Sequence, residues 1–339
     1  MAEADAGPSE RPFFVSSAAA AHVFSWREAI NALATAYAAP AAVGALPPRT
    51  VARDEGAWLR SLPALPSGGR YFGAKLMAMA PPAPQAGVEY VIVLWDRHTS
   101  RIAAFVDGSQ VTAFRTAATS ALALDRLAAP GPLRLVVLGS GLEATMHVRA
   151  FAAVRTIEHL VVCSPTPARR EAFAAAAARD LGCASEAVSD PRTATAEATV
   201  VLAAARSRGE VPILHGDWLA PEVTIISIGS TVPSQREIDV SVVEASDLIV
   251  CDAVDEVSEQ TGDMLAAARA GIAFADRTFS LHQLVSGEID ERLPGAARRL
   301  FKSVGGGLQD IVVAEVIVRK ALAAGTTTPL PIEFETKQI

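Results

Sequence analysis

This chain of 339 residues has little cysteine or histidine and no surplus of positive charge. Its three cysteines, Cys163, Cys183 and Cys251, show no CxxC or Cys/His spacing. Neither a disulfide framework nor a zinc site is indicated, and a reducing, cytoplasmic setting is expected. The six histidines include no pair at metal-ligand spacing, so no metal is expected. Thirty Lys and Arg stand against 37 Asp and Glu, a formal net charge of −7 without a basic run. The phosphate attraction that nucleic-acid binding requires is missing. A charge-free stretch, 29–48, is interrupted by Asn31, Pro40, Pro47 and Pro48 and reads as a helix followed by a loop, so no membrane partner is expected. The apolar stretch 13–24 imitates a secretory core, but Glu3, Asp5 and Glu10 against Arg11 give the preceding segment the wrong charge. No GxSxG surrounds Ser120, Ser230 or Ser234, which leaves a hydrolase triad unsupported.

The rest of the composition is apolar and patterned. Half the residues are hydrophobic, 20% are charged and the mean hydropathy is +0.28, a globular composition. The length suggests two domains of roughly 100 to 200 residues each. Trp26, Ile30, Leu33 and Tyr37 recur at helical spacing behind Ser25, a residue type suited to an N-cap. Short apolar runs at 71–80, 90–96 and 101–107 read as strands, the last two joined by the turn Arg97-His98-Thr99-Ser100. An alanine-rich helix over 116–127, with Arg115 opening it, ends before Pro130-Gly131-Pro132, the expected domain boundary. Thereafter strands at 133–138, 159–163, 198–203, 223–228 and 248–251 alternate with helices from Leu142 and over 168–181. That rhythm implies a parallel, doubly wound sheet. The helix 308–324, after Gly305-Gly306-Gly307, has no strand of that sheet left to serve and is expected to return to the first domain. The predicted fold class is α/β: a Rossmann domain over 131–305 and a discontinuous α+β domain over 1–130 and 306–339.

Gly139-Ser140-Gly141-Leu142-Glu143-Ala144 follows an apolar strand and opens a helix. In that setting GxGxxA is a dinucleotide fingerprint: a tight turn at Gly139, close approach of a pyrophosphate at Gly141, close packing at Ala144. The alternative is a strand-to-helix turn with no ligand. The second strand ends in Cys163-Ser164-Pro165-Thr166 rather than in an acid, with Arg169 and Arg170 following. Ser164, Thr166 and Arg169 are therefore read as contacts to a 2′-phosphate, favouring NADPH over NADH; the alternative makes both arginines solvated helix residues. Lys75 is the only charge between Arg70 and Glu89, so it snorkels to solvent or meets an anion. The Arg115 guanidinium suits a carboxylate or a surface ion pair. Asp252 borders a cofactor or caps the next helix, Asp310 caps a helix or does more, and His147 is read as a packing or surface residue.

Arg49-Thr50-Val51, Gly73-Ala74-Lys75, the stretch 112–123 (TAFRTAATSALA), the fingerprint GSGLEA, 228–239 (IGSTVPSQREID) and 300–310 (LFKSVGGGLQD) together resemble the ornithine cyclodeaminase/μ-crystallin family over about 49–324. The resemblance implies a homodimer whose discontinuous domain forms the dimer interface and part of a substrate pocket. It also implies that Arg49, Lys75 and Arg115 bind a substrate carboxylate, and Ser230 is placed with the cofactor. Cyclodeaminases of the family carry Asp where this chain has Thr231, and a hydroxyl is no carboxylate base at neutral pH. Two further departures are Glu143, where the family often has glutamine, and Tyr90, in place of the more usual threonine. The expected activity is reduction of an imine derived from a 2-oxo acid, in reverse an amino-acid dehydrogenase, with Lys75 or a water on Thr231 delivering the proton. The rivals are a lyase-type member (ornithine cyclodeaminase or hydroxyproline dehydratase) and a non-catalytic NADPH-binding protein.

Overall fold

A computed structural model describes residues 11–80, 87–335 and 337; the acidic residues Glu3, Asp5 and Glu10 lie outside them. In chain order the first elements are β1 (Phe13–Val15), α1 (Ser17–Val23), α2 (Trp26–Ala38), β2 (Thr50–Asp54), β3 (Ala57–Ala64), β4 (Tyr71–Met79), β5 (Glu89–Asp96), β6 (Ile102–Asp107) and α3 (Gly108–Leu127). Next come β7 (Leu133–Leu138), α4 (Leu142–Val154), β8 (Ile157–Cys163), α5 (Pro167–Leu181), β9 (Ala184–Val188), α6 (Pro191–Thr195), β10 (Val200–Ala203) and β11 (Val223–Ser227). The remainder is α7 (Val240–Ala245), β12 (Leu248–Cys251), α8 (Val254–Gln260), α9 (Gly262–Arg269), β13 (Thr278–Ser280), α10 (Leu281–Ser286), β14 (Arg298–Lys302), α11 (Gly307–Ala323) and β15 (Thr328–Pro329). The chain folds into two units, one of residues 1–32, 40–115 and 306–339, the other of 33–39 and 116–305. That division falls inside α3, whereas Pro130-Gly131-Pro132 forms the loop between α3 and β7.

The first unit is built on a seven-stranded sheet of order β15-β1-β6-β5-β4-β3-β2. Its strands from β2 to β6 pair antiparallel, while β1 runs parallel to β6. The β5–β6 turn is tied by the Asp96 carboxylate, which accepts the amides of His98 (2.9 Å) and Thr99 (3.1 Å). α11 packs on β3, β4, β5 and β6, and most of its residues are buried, as its run of aliphatic residues requires.

Two expectations need correction here. α3 starts at Gly108, where Asp107 Oδ1 accepts the Ser109 amide at 3.0 Å, so Arg115 lies within the helix rather than opening it. The β-branched and aromatic residues Val111, Thr112 and Phe114 are poor helix formers and hid those first turns. Strands β2, β3, β9, β13 and β14 are likewise not announced by the apolar pattern. β13 has three residues, β9 is half polar, and β14 (RRLFK) carries cations at both ends.

The second unit holds an eight-stranded sheet of order β13-β12-β14-β11-β10-β7-β8-β9. All its pairings are parallel. Three strands run outward from β7 to β9, and β10 then begins the other half, so the order reverses between β7 and β10. In a doubly wound sheet a dinucleotide lies across the carboxyl edge at that reversal. Val136, Val161, Ile225, Ile249 and Leu300 are among the buried residues of its core. Among the described residues no helix is long and apolar enough to cross a membrane.

Candidate active site

On the face of the first sheet that α11 covers, Lys75 of β4 is 1% exposed. Its Nζ lies 2.8 Å from Asp310 Oδ1 and 3.4 Å from Thr112 Oγ1. Arg115 of α3 approaches the same carboxylate oxygen through Nε at 3.1 Å, and its Nη1 donates to Gln309 Oε1 at 2.9 Å. Two cations thus share one buried anion, an excess of positive charge that suits a further carboxylate. Asp310 Oδ2 is buried with no hydrogen-bond donor among the described residues, an acceptor left for a ligand N–H. Burial pulls the Lys75 ammonium down to about 8 from 10.5; Asp310 raises it, and Arg115 and Arg60 add to the fall. Arg49 immediately precedes Thr50, which pairs with Ser61, and the next row of β3 and β4 is Leu62 opposite Lys75. The register therefore sets Arg49 two strands from Lys75. Asp310 is no cap: its carboxylate faces these cations, and the N-cap of α11 is Gly306.

At the carboxyl edge of the second sheet, Gly139 has φ +130°, and a Cβ there would meet the Ala204 carbonyl at 2.9 Å. Only glycine fits this turn. Gly141 is the N-cap of α4, without a side-chain cap, and a Cβ on it would meet nothing within 4 Å. Open space and uncapped helix amides are what an approaching pyrophosphate needs. Ser140 Oγ donates to Ser164 Oγ at 2.9 Å, joining the fingerprint to the end of β8. Ala144 is buried; Leu142 is exposed; the Glu143 carboxylate lies 3.7 Å from His147 Nδ1. His147 itself is buried, its Nε2 3.1 Å from Ser120 Oγ. Thr166 is the N-cap of α5 and Arg169 is exposed, while Arg170 Nη1 donates to the Ser164 carbonyl at 2.9 Å.

The loop after β11 carries the remaining candidates. Thr231 donates both its amide (2.9 Å) and its hydroxyl (3.2 Å) to Gln235 Oε1, and Ser230 Oγ donates to the Gln235 carbonyl at 2.7 Å. With its proton committed, the Thr231 hydroxyl has lone pairs to offer and nothing to donate. Asp252 neither caps α8, whose N-cap is Ala253, nor stands idle. Its carboxylate accepts from Ser303 Oγ (2.6 Å) and from the amides of Val304 (3.0 Å) and Gly305 (2.8 Å).

Sequence reasoning missed a buried group beneath that loop. Lys302 Nζ lies 2.8 Å from Ser227 Oγ, 3.1 Å from Asp263 Oδ2 and 3.9 Å from Glu237 Oε2. Burial pushes the Glu237 carboxyl up to about 7, while Lys302, Ser227 and the Gly229 amide pull it down. The one signal in the sequence was a lysine directly behind the apolar pair Leu300-Phe301.

The chain matches the ornithine cyclodeaminase/mu-crystallin family over residues 14–325. It belongs to that family. Among its relatives, a Delta(1)-pyrroline-2-carboxylate reductase of Paracoccus denitrificans is 29% identical over 92% of this chain and 98% of its own. The ketimine reductase mu-crystallin of Rattus norvegicus is 30% identical over 70% of each chain. The solved structure of the Thermococcus litoralis Delta(1)-pyrroline-2-carboxylate reductase, in complex with NADH and L-proline, superposes with a TM-score of 0.84 at 25% identity. That superposition covers 94% of this chain and 100% of the other.

Proposed function

We propose that this protein is an NAD(P)H-dependent reductase of a cyclic or amine-derived imine of a 2-oxo acid, working in reverse as an amino-acid dehydrogenase. The observation that carries the reading is the pair of buried cations on the single Asp310 carboxylate, which leaves positive charge for a second carboxylate to neutralise. The names of the relatives support the imine, and the Thermococcus enzyme's NADH supports the dinucleotide.

NAD(P)H, when bound, would supply the hydride. Gly139, Ser140, Gly141, Leu142, Glu143 and Ala144 form the turn and first helical residues that receive its pyrophosphate, and Ser230 borders it. Ser164, Thr166 and Arg169, at the acid-free end of β8, favour a 2′-phosphate and hence NADPH, with NADH the competing form. Arg115, with Arg49, holds the substrate carboxylate and fixes the imine carbon. Lys75, protonated below about pH 8, donates a proton to the imine nitrogen, readying the carbon for the hydride that NAD(P)H would supply. Thr231, its proton committed to Gln235, offers an acceptor to a substrate N–H or to a water; this reading takes Lys75 as the donor because it carries a proton below about pH 8. The absence of an Asp at Thr231 weighs against ornithine cyclisation. We also read the protein as a homodimer, and its three free, buried cysteines as those of a cytoplasmic protein.

The test follows NADPH and NADH absorbance across cyclic ketimine carboxylates and 2-oxo acids mixed with ammonia or methylamine. Imine-dependent oxidation is the expected result. Silence across the panel, with ammonia released from ornithine and no net change in dinucleotide, would replace this reading by a lyase.

A further inference from the structure

One carboxylate joins three strands of the second sheet. Glu237 Oε1 accepts the Ala205 amide, two residues past the end of β10, at 3.1 Å. Its Oε2 accepts from Ser227 Oγ, the last residue of β11, at 2.6 Å and from the Gly229 amide at 2.9 Å. Lys302, the last residue of β14, faces it at 3.9 Å and shares Ser227 with it. Asp263 of α9 completes the cluster: its Oδ1 accepts the amides of Glu237 (2.8 Å) and Ile238 (3.3 Å), and Arg236 Nε lies 3.3 Å from it. Glu237, Lys302 and Asp263 are all fully buried or within 1% of it. A Cβ on Gly229 would run into the Glu237 carboxylate, so the backbone reaches it only through glycine. Within the loop beyond, Ser230 and Thr231 bond to Gln235, and its far side is held by the Gly262 amide on the Val232 carbonyl (3.2 Å) and by the Arg236 amide on Glu210 Oε2 (2.9 Å).

A buried charge cluster of this kind is no cheaper than an apolar plug of the same volume, so stability alone does not account for it. Its position does. The fingerprint at β7 and the end of β8 belong to the half of the sheet that takes the adenosine and pyrophosphate; β10, β11 and β14 belong to the other half. We propose that Glu237 is a positioning residue for the nicotinamide half of the dinucleotide, acting by holding the 229–236 loop to the carboxyl ends of β10, β11 and β14. The inference rests on the dinucleotide reading above. Glu237 touches no ligand; it sets where Ser230 and Thr231 stand. Replacing its carboxylate by an amide puts an N–H against the Ala205 or Gly229 amide, which removes one acceptor from a buried pair.

The experiment uses two probes on the full-length protein at pH 8, above the value near 7 to which burial lifts Glu237. NADPH binding is followed by nicotinamide fluorescence. Binding of 2′-phospho-ADP-ribose, the same ligand without nicotinamide, is followed by calorimetry. Glu237→Gln is expected to weaken NADPH about tenfold and to leave 2′-phospho-ADP-ribose unchanged. Should that variant not fold, Ser227→Ala, which removes one donor from the carboxylate, is expected to shift binding in the same selective sense by a few-fold. Equal weakening of both ligands, as a merely structural lesion would give, or no change in either, overturns the proposal while the dinucleotide reading stands. If the wild-type protein prefers NADH, the same comparison runs with NADH and ADP-ribose; a wild-type protein that binds neither pair overturns the dinucleotide reading itself, and this proposal with it.

Discussion

A lysine in the middle of an apolar strand has two fates, and at Lys75 the fold chose burial against Asp310 of α11, 235 positions away. The value near 8 follows from desolvation outweighing that ion pair. Because the folded value lies below the unfolded 10.5, the charged form costs stability at neutral pH, and the loss is recovered as pH rises from about 8 towards 10.5. Catalysis has the opposite slope. kcat/KM for imine reduction is expected to fall tenfold per pH unit above about 8, as Lys75 loses the proton it must donate. Lys75→Arg should remove that alkaline limb and lower kcat, since a guanidinium keeps its proton. Lys75→Ala should abolish turnover and leave NADPH binding intact; normal turnover by it would end the proton-donor role. Lys75 was visible in the sequence as a lone charge in an apolar strand, and Arg115 as a guanidinium suited to a carboxylate or a surface ion pair. Asp310 was visible as a possible cap or something more, but its partners were not, because nothing local announces a partner from another segment.

The strand–turn–helix of β7 and α4 is the element in which local chemistry and function coincide. Gly139→Ala places a side chain at φ +130° against the Ala204 carbonyl. The strain is of order 1–3 kcal/mol and falls on the turn itself, so fluorescence titration is expected to show dinucleotide affinity lost ahead of any large drop in Tm. At the end of β8, Arg169 is exposed while Arg170 is engaged with the Ser164 carbonyl. Arg169→Ala should therefore raise KM for NADPH about tenfold, the worth of one charge-assisted contact, with KM for NADH unmoved. Equal effects on both would dissociate Arg169 from the 2′-phosphate. Elements with a clear apolar pattern, α2, β7 and β12 among them, were legible to the residue, as was the first residue of α4. The first turns of α3 and the polar strands β9 and β14 were not, since tertiary pairing overrode weak local preference there.

At the scale of the molecule, the homodimer reading predicts a particle of twice the 35.3 kDa chain mass in sedimentation equilibrium, at micromolar protein and physiological salt. A monomer under those conditions would remove it. The linear pattern of residues was enough to dictate the alternation of strand and helix, the fingerprint turn and the return of α11 to the first sheet. Each follows from periodicity, glycine placement and the exhaustion of strands along a continuous segment. Three-dimensional pairing was needed to give Lys75 and Arg115 their shared Asp310, to commit the Thr231 proton to Gln235, and to set Glu237 across the ends of three strands. Apart from the part-buried, local Thr231–Gln235 bond, those are pairings of buried polar groups, most of them between segments far apart in the chain. Their partners are selected by which side chains the sheets bring within about 3 Å, where desolvation makes an unpaired group costly.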